Sequence, residues 1–160
     1  MKRFVGAAIA ALVLWPVCAS AESWNLNKGD ARGGTVLSAM PDEPENDTDL
    51  WLMCRKDGRF DVGVGANSTL GKGTGDAVTA TLSSGGKTAA LKGVSKNSIN
   101  FEMTGGTELT ATVSKDDPLF AVLAAGKPIK LTSSGKSRTF GSGNAPKLLD
   151  KFLASCKAGK

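Results

Sequence analysis

The chain has 160 residues, with 20 Lys and Arg against 15 Asp and Glu, for a net charge of +5. It contains no histidine, no tyrosine and three cysteines, which excludes Ser-His-Asp and Cys-His catalysis and an imidazole-bound zinc. The bases are scattered along the chain, whereas nucleic-acid binding is marked by clustered Lys and Arg interleaved with stacking aromatics, so no nucleic acid is expected.

Lys2 and Arg3 precede a nearly continuous apolar run from Phe4 to Val17, and Ala19-Ser20-Ala21 supplies the small residues a signal peptidase accepts. This layout predicts a secretory signal peptide over residues 1–21. The run is shorter than the roughly 20 residues that span a bilayer. Trp15 and Val17 ahead of Cys18 argue against lipidation, so Cys18 is expected to leave with the peptide. No later segment is apolar enough to cross a membrane. Residues 22–160 are then one secreted or periplasmic domain of a Gram-negative cell. Its two remaining cysteines, Cys54 and Cys156, have a single intramolecular pairing open to them in an oxidising compartment.

The mature chain opens with a short stretch, Glu22 to Asn27, that contains Trp24. Thr35 to Ser38 reads as a strand. Residues 41–49, PDEPENDTD, read as an acidic loop punctuated by proline. Leu50 to Cys54 reads as a buried strand, and Asp57-Gly58 marks a hairpin. Phe60, Val62 and Val64 alternate on the return strand. Residues 63–75, GVGANSTLGKGTG, read as a long flexible hairpin end. Further period-2 segments follow at Val78-Ala80-Leu82, Ala89-Leu91, Ile99-Phe101-Met103 and Leu109-Ala111-Val113, with turns at SSGGK (83–87) and Gly105-Gly106.

The rhythm then changes. Asp117-Pro118 places a capping residue and a helix-starting proline before Leu119 to Ala125, and Gly126 ends that short helix. Ile129 and Leu131 form a strand that pairs with Thr139-Phe140 across Ser134-Gly135. A second helix starts near Asn144-Ala145-Pro146 and puts Leu148, Leu149, Phe152, Leu153 and Cys156 on one face. The fold class is therefore mainly β with α: an antiparallel sheet, sandwich or open barrel, with one short helix and a C-terminal helix joined by disulfide to an early strand.

Few residues carry chemistry. Gly86-Lys87-Thr88 and Gly135-Lys136-Ser137 look like the end of a phosphate loop, but the upstream glycine is replaced by Thr81 and Lys130. Ser84-x-x-Lys87 and Ser133-x-x-Lys136 match a serine–lysine spacing that needs a helix, yet both lie in Ser-Gly turns. Glu45, Asp47 and Asp49 alternate in the acidic loop and are a weak Ca²⁺ candidate, without the sharp-turn glycine of an EF-hand; otherwise no metal and no cofactor is expected. Glu102 and Glu108, on neighbouring predicted strands, are the carboxylate pair a cell-wall glycosidase would need. Arg55, Lys56 and Arg59 gather on one hairpin and, with Trp24 near the new N-terminus, form the candidate contact set for a protein partner.

TVLSAMPDE, LWLMCRKDG, DPLFAVLAAGKPIKLTSS and RTFGSGNAPKLLDKFLASC together resemble the periplasmic type VI secretion-associated TagO family. The resemblance runs from Thr35 to Cys156 and is not carried by residues 66–106. It implies the same element order and disulfide and an accessory, protein-contacting role, with no catalytic residues to transfer.

The expectation is a non-catalytic binding or accessory domain, of an accessory, inhibitor or immunity type, that contacts a protein partner. A carboxylate-based hydrolase and a Ca²⁺ or small-ligand module are the two alternatives. Non-reducing peptide mapping of native protein is expected to recover Cys54 and Cys156 in one linked fragment. Recovery of both as free thiols contradicts export and pairing together.

Overall fold

The computed structural model describes residues 23–28, 34–40, 50–65, 70–71, 73–98 and 101–157. The expected signal peptide, the acidic loop with Glu45, Asp47 and Asp49, and Ile99 lie outside the described residues.

Strands β1 (Ser23–Lys28), β2 (Thr35–Met40), β3 (Leu50–Cys54) and β4 (Phe60–Val64) form a meander. Strands β5 (Ala77–Ser84), β6 (Lys87–Asn97) and β7 (Thr107–Val113) form a second meander, whose last strand pairs with β4. Strands β8 (Ile129–Ser133) and β9 (Lys136–Phe140) add beyond β5 as a hairpin. The order across the sheet is β1-β2-β3-β4-β7-β6-β5-β8-β9, all antiparallel, and the sheet curls into a half-barrel. Helix α1 (Phe101–Thr104) is a single turn between β6 and β7; α2 (Pro118–Ala124) carries the chain from β7 to β8, and α3 (Ala145–Lys157) closes it.

Local chemistry accounts for most of these elements. Both two-residue hairpin loops, Gly85-Gly86 and Ser134-Gly135, have positive φ at each position, as a type I′ turn requires. In α2 the Asp117 carboxylate accepts the Leu119 N–H at 2.8 Å and Pro118 occupies the first turn. Gly126, with φ of 63°, follows the helix, where a left-handed residue stops it.

The inner face of the sheet and the two longer helices enclose the core. Leu37, Leu52, Val62, Leu109 and Leu91 line the sheet side. Leu119, Phe120, Val122 and Leu123 come from α2, and Leu149 and Phe152 from α3. Phe60 sits between the helices, 5.0 Å from the Phe120 ring and 5.7 Å from the Phe152 ring. Each such side chain contributes about 1.5–3 kcal/mol by leaving water. Cys54 and Cys156 are disulfide-bonded with Cα atoms 5.6 Å apart, and the bridge spans 102 positions. In the chain-entropy account a loop of that size is worth about 4–5 kcal/mol.

Two strand expectations are corrected. Phe101 and Met103 lie in α1 rather than a strand, because β6 ends at Asn97 and the Gly105 N–H closes a helical turn onto the Phe101 carbonyl at 2.7 Å. The glycine-rich stretch 63–75 is no hairpin end. It joins β4 to β5, which are separated in the sheet by β7 and β6.

Two glycines shape the sheet. Gly63 stands opposite Trp51 on the outer face, and its missing side chain leaves the space the indole ring fills. Trp51 is thereby only 9% exposed, and its Nε1–H donates to the Glu108 carboxylate at 2.9 Å. At Gly93 the β6 backbone comes too close to the Thr110 carbonyl for any Cβ. The β6–β7 ladder ends there, at Val94 opposite Thr110, although β6 continues back to Lys87 and β7 on to Val113.

Gly63→Ala is expected to cost about 1–3 kcal/mol by overpacking against the indole. Trp51→Leu in the same chain should recover part of that loss, so the double-variant cost falls below the sum of the singles. Thermal unfolding of the four proteins checks it; strict additivity contradicts the contact.

Candidate functional site

The β3–β4 turn brings Arg55, Lys56 and Arg59 to one end of the sheet, directly after Cys54. Gly58, with φ of 79°, lets the chain reverse, and the Arg55 N–H bonds the Arg59 carbonyl at 3.0 Å. Two carboxylates organise the cations. Asp57 accepts from Arg59 Nη2 at 2.8 Å, from the Arg59 backbone N–H at 3.0 Å and from Arg55 Nε at 3.3 Å. Asp61 accepts from Arg55 Nη1 at 3.1 Å and from the Thr112 hydroxyl at 2.8 Å.

The bonds from the Arg59 side chain and backbone pull the Asp57 carboxyl down to about 2 from its ordinary 3.8. Asp61, through its hydrogen bond and charge, raises Arg55 above its ordinary value. These are exposed pairs, and their main effect is to hold the guanidinium planes in place rather than to stabilise the fold. Each guanidinium keeps N–H donors beyond those used. Lys56 is exposed and makes no salt bridge among the described residues.

Beside the turn lies a hollow of about 440 Å³, with Phe60, Leu153 and Cys156 on its apolar side and Arg55, Arg59 and Lys115 on its rim. Lys115 arrives from the turn after β7, and Leu153 and Cys156 from the last turns of α3. The disulfide fixes both walls, because it joins the strand that leads into the turn to the helix opposite. Among the described residues, three cations and no carboxylate line this hollow. Such a surface is complementary in charge and polarity to an apolar group that adjoins an anion.

Arg55 and Arg59 are thus brought together as expected, with Lys56 alongside. Trp24 is not. It is 1% exposed, its Nε1–H donates to the Gly141 carbonyl at 3.1 Å, and its backbone N–H donates to Asn144 Oδ1 at 3.0 Å. Its burial beneath the segment that follows β9 removes it from any contact surface. Glu102 and Glu108 do not face each other from paired strands: Glu102 is on α1, and Glu108 stands opposite Lys96 and accepts from Trp51. Lys115 and Leu153 escaped the sequence reading. Lys115 lies in a Ser-Lys-Asp turn that reads as solvated, and Leu153 was placed only on a core-facing stripe.

The fold and site define a disulfide-linked antiparallel half-barrel with a basic, partly apolar hollow beside the bridge. No helix among the described residues is long and apolar enough to cross a membrane. No protein-family model matches the chain, and no curated protein or solved structure matches it.

The lowered Asp57 carboxyl carries a pH dependence. Its charged form is the bound one, so the turn gains stability that is fully present above about pH 4 and is lost as pH falls through about 2. Asp57→Asn is expected to flatten the drop in urea midpoint across that window. An unchanged slope contradicts the Arg59 contact.

Proposed function

We propose that the chain is an exported, non-catalytic binding domain that engages a protein partner through the hollow beside the Cys54–Cys156 bridge. The observation that carries this reading is the lining of that hollow: Arg55, Arg59 and Lys115 around Phe60 and Leu153, held rigid by a disulfide. Pre-ordered side chains around an apolar floor suit a single anchoring residue of a partner, since little ordering entropy is then lost on binding. The partner presents an apolar side chain next to Asp, Glu or a terminal carboxylate.

Location supports the same reading. The basic head, apolar run and small-residue site of residues 1–21 direct the chain out of the cytosol, and a disulfide is stable there. An accessory role in the periplasm also agrees with the resemblance of the strand-and-helix segments to the TagO family. The two mature cysteines are joined and the chain has no histidine, which leaves few groups for catalysis and suits a binding role.

Processed, oxidised protein immobilised through its C-terminus is expected to retain a periplasmic protein that a variant with Arg59→Gln and Lys115→Glu does not. Both substituted positions are exposed, so matched thermal unfolding of the variant shows that the fold is unaffected. Equal capture by both proteins, or none by either, overturns the hollow as the contact site.

A further inference from the structure

A second hollow lies on the outer face of the sheet, and the strand register explains it. Trp51 stands opposite Gly63, Gly63 opposite Thr110, and Thr110 opposite Val94, so the four form one row across β3, β4, β7 and β6. Gly63 has no side chain to fill its place in that row, and the Trp51 indole lies over it instead. Side chains two positions apart on a strand share a face. Lys92 and Lys96 therefore flank Val94 on β6, with Cα atoms roughly 13 Å apart at the ordinary strand rise. Asp61 and Thr112 stand opposite one another in the neighbouring row. The volume is about 420 Å³, which lies within the roughly 300–1,000 Å³ of small-ligand sites.

Among the described residues, Arg55, Lys92 and Lys96 line this hollow against one carboxylate, Asp61, which Arg55 and Thr112 already engage. Glu108 stands opposite Lys96, accepts the Trp51 indole N–H and offsets part of the lysine charge, which still leaves an excess of cations. Neither lysine makes a salt bridge among the described residues. The Thr110 hydroxyl donates to the Val94 carbonyl and the Thr112 hydroxyl to Asp61, and each keeps acceptor capacity for an incoming hydroxyl. Val94 is 41% exposed and supplies an apolar contact between the lysines.

This lining selects among anions. Strands β3, β4, β7 and β6 each have a neighbour on both sides in the sheet, so an extended peptide finds no open edge to pair with. Trp51 is too covered to offer a ring on which a nucleobase could stack. A lone inorganic anion would use the charges and leave the hydroxyls and Val94 idle. A chain of sugar rings that carries carboxylates uses all of them. Its acid groups meet the cations, its hydroxyls meet Thr110 and Thr112, and a C–H face lies against Val94.

We propose that the outer-face hollow is a binding site for an acidic glycan, a saccharide chain bearing carboxylates. Lys92 and Lys96 meet separate acid groups along the chain, and the rings between them lie over Val94 and Thr110. Lysines are compact charges on flexible stems, which suits a chain whose acid groups need no single orientation. The site stands apart from the hollow beside the disulfide; Arg55 alone borders both.

The test titrates processed, oxidised protein with tetragalacturonate. One control is its methyl ester, which keeps the rings and removes the charge. The other is end-capped tetraglutamate, which keeps four carboxylates on a peptide. Tetragalacturonate is expected to bind and to shift the amide resonances of Val94 and Thr110 and the indole N–H of Trp51, with Lys115 unmoved. Each control should bind about tenfold more weakly or worse, as should tetragalacturonate to a Lys92→Gln, Lys96→Gln variant of unaltered thermal stability. The Arg59→Gln, Lys115→Glu variant should bind it as the unsubstituted protein does. Absence of binding overturns the proposal. Equal binding of tetraglutamate overturns it in favour of charge alone, and equal binding of the ester removes the role of the cations. Loss of binding in the Arg59→Gln, Lys115→Glu variant overturns it by placing the saccharide in the other hollow. The two sites fail separately. If tetragalacturonate does not bind while partner capture still depends on Arg59 and Lys115, the glycan site falls and the hollow beside the bridge stands; the converse pattern removes that hollow and keeps the glycan site.

Discussion

The bond between Cys54 and Cys156 sets the position of everything on the basic turn. It joins the last residue of β3 to the end of α3, so the helix cannot slide along the sheet without moving the strand that leads into the arginines. Phe60, the first residue of β4, then packs against both α2 and α3 through Phe120 and Phe152. A covalent link and an aromatic cluster thus hold the same corner, one by restricting the unfolded chain and the other by excluding water. The rim cations stand on a framework with little freedom left, and the Asp57 and Asp61 carboxylates hold the arginines in turn.

The outer face follows a different logic. Two glycines decide its relief. Gly63 admits an indole against the backbone, and Gly93 lets one strand come close to its neighbour. Trp51 covers the outer face on the β3 side, and Lys92 and Lys96 border the same shallow hollow on the β6 side. Both glycines lie beside the strand that carries Glu108 and Thr112.

Much of this was legible in the residues, because local chemistry decided it. Asp117-Pro118 and Gly126 bound α2, paired loop residues at 85–86 and 134–135 set the tight hairpins, and alternation marked the strands from β2 to β9. The pairing of Cys54 with Cys156 and the helix–strand link came from two cysteines having one partner each. What escaped was non-local. No residue at 63–75 announces that β4 and β5 lie apart, since that follows from where β7 returns. Phe101 and Met103 alternate as a strand does, yet the sheet has no place for them there. Trp24 looked free because it stands near a chain end, and its partners are 117 and 120 positions away. The hollow combines the β3–β4 turn, the turn after β7 and the last helix, three places that only the folded chain brings together.

Those long separations at Trp24 bear on the order of assembly. Trp24 on the first strand, which pairs with β2 along its length, meets its remaining partners at Gly141 and Asn144, just before the final helix. Contacts that span most of a chain form late, because the intervening segment must be gathered first. The enclosure of the opening strand's tryptophan therefore waits for the last quarter of the chain. The arrival of the same tail encloses the tryptophan and brings the two sulfurs within reach of one another.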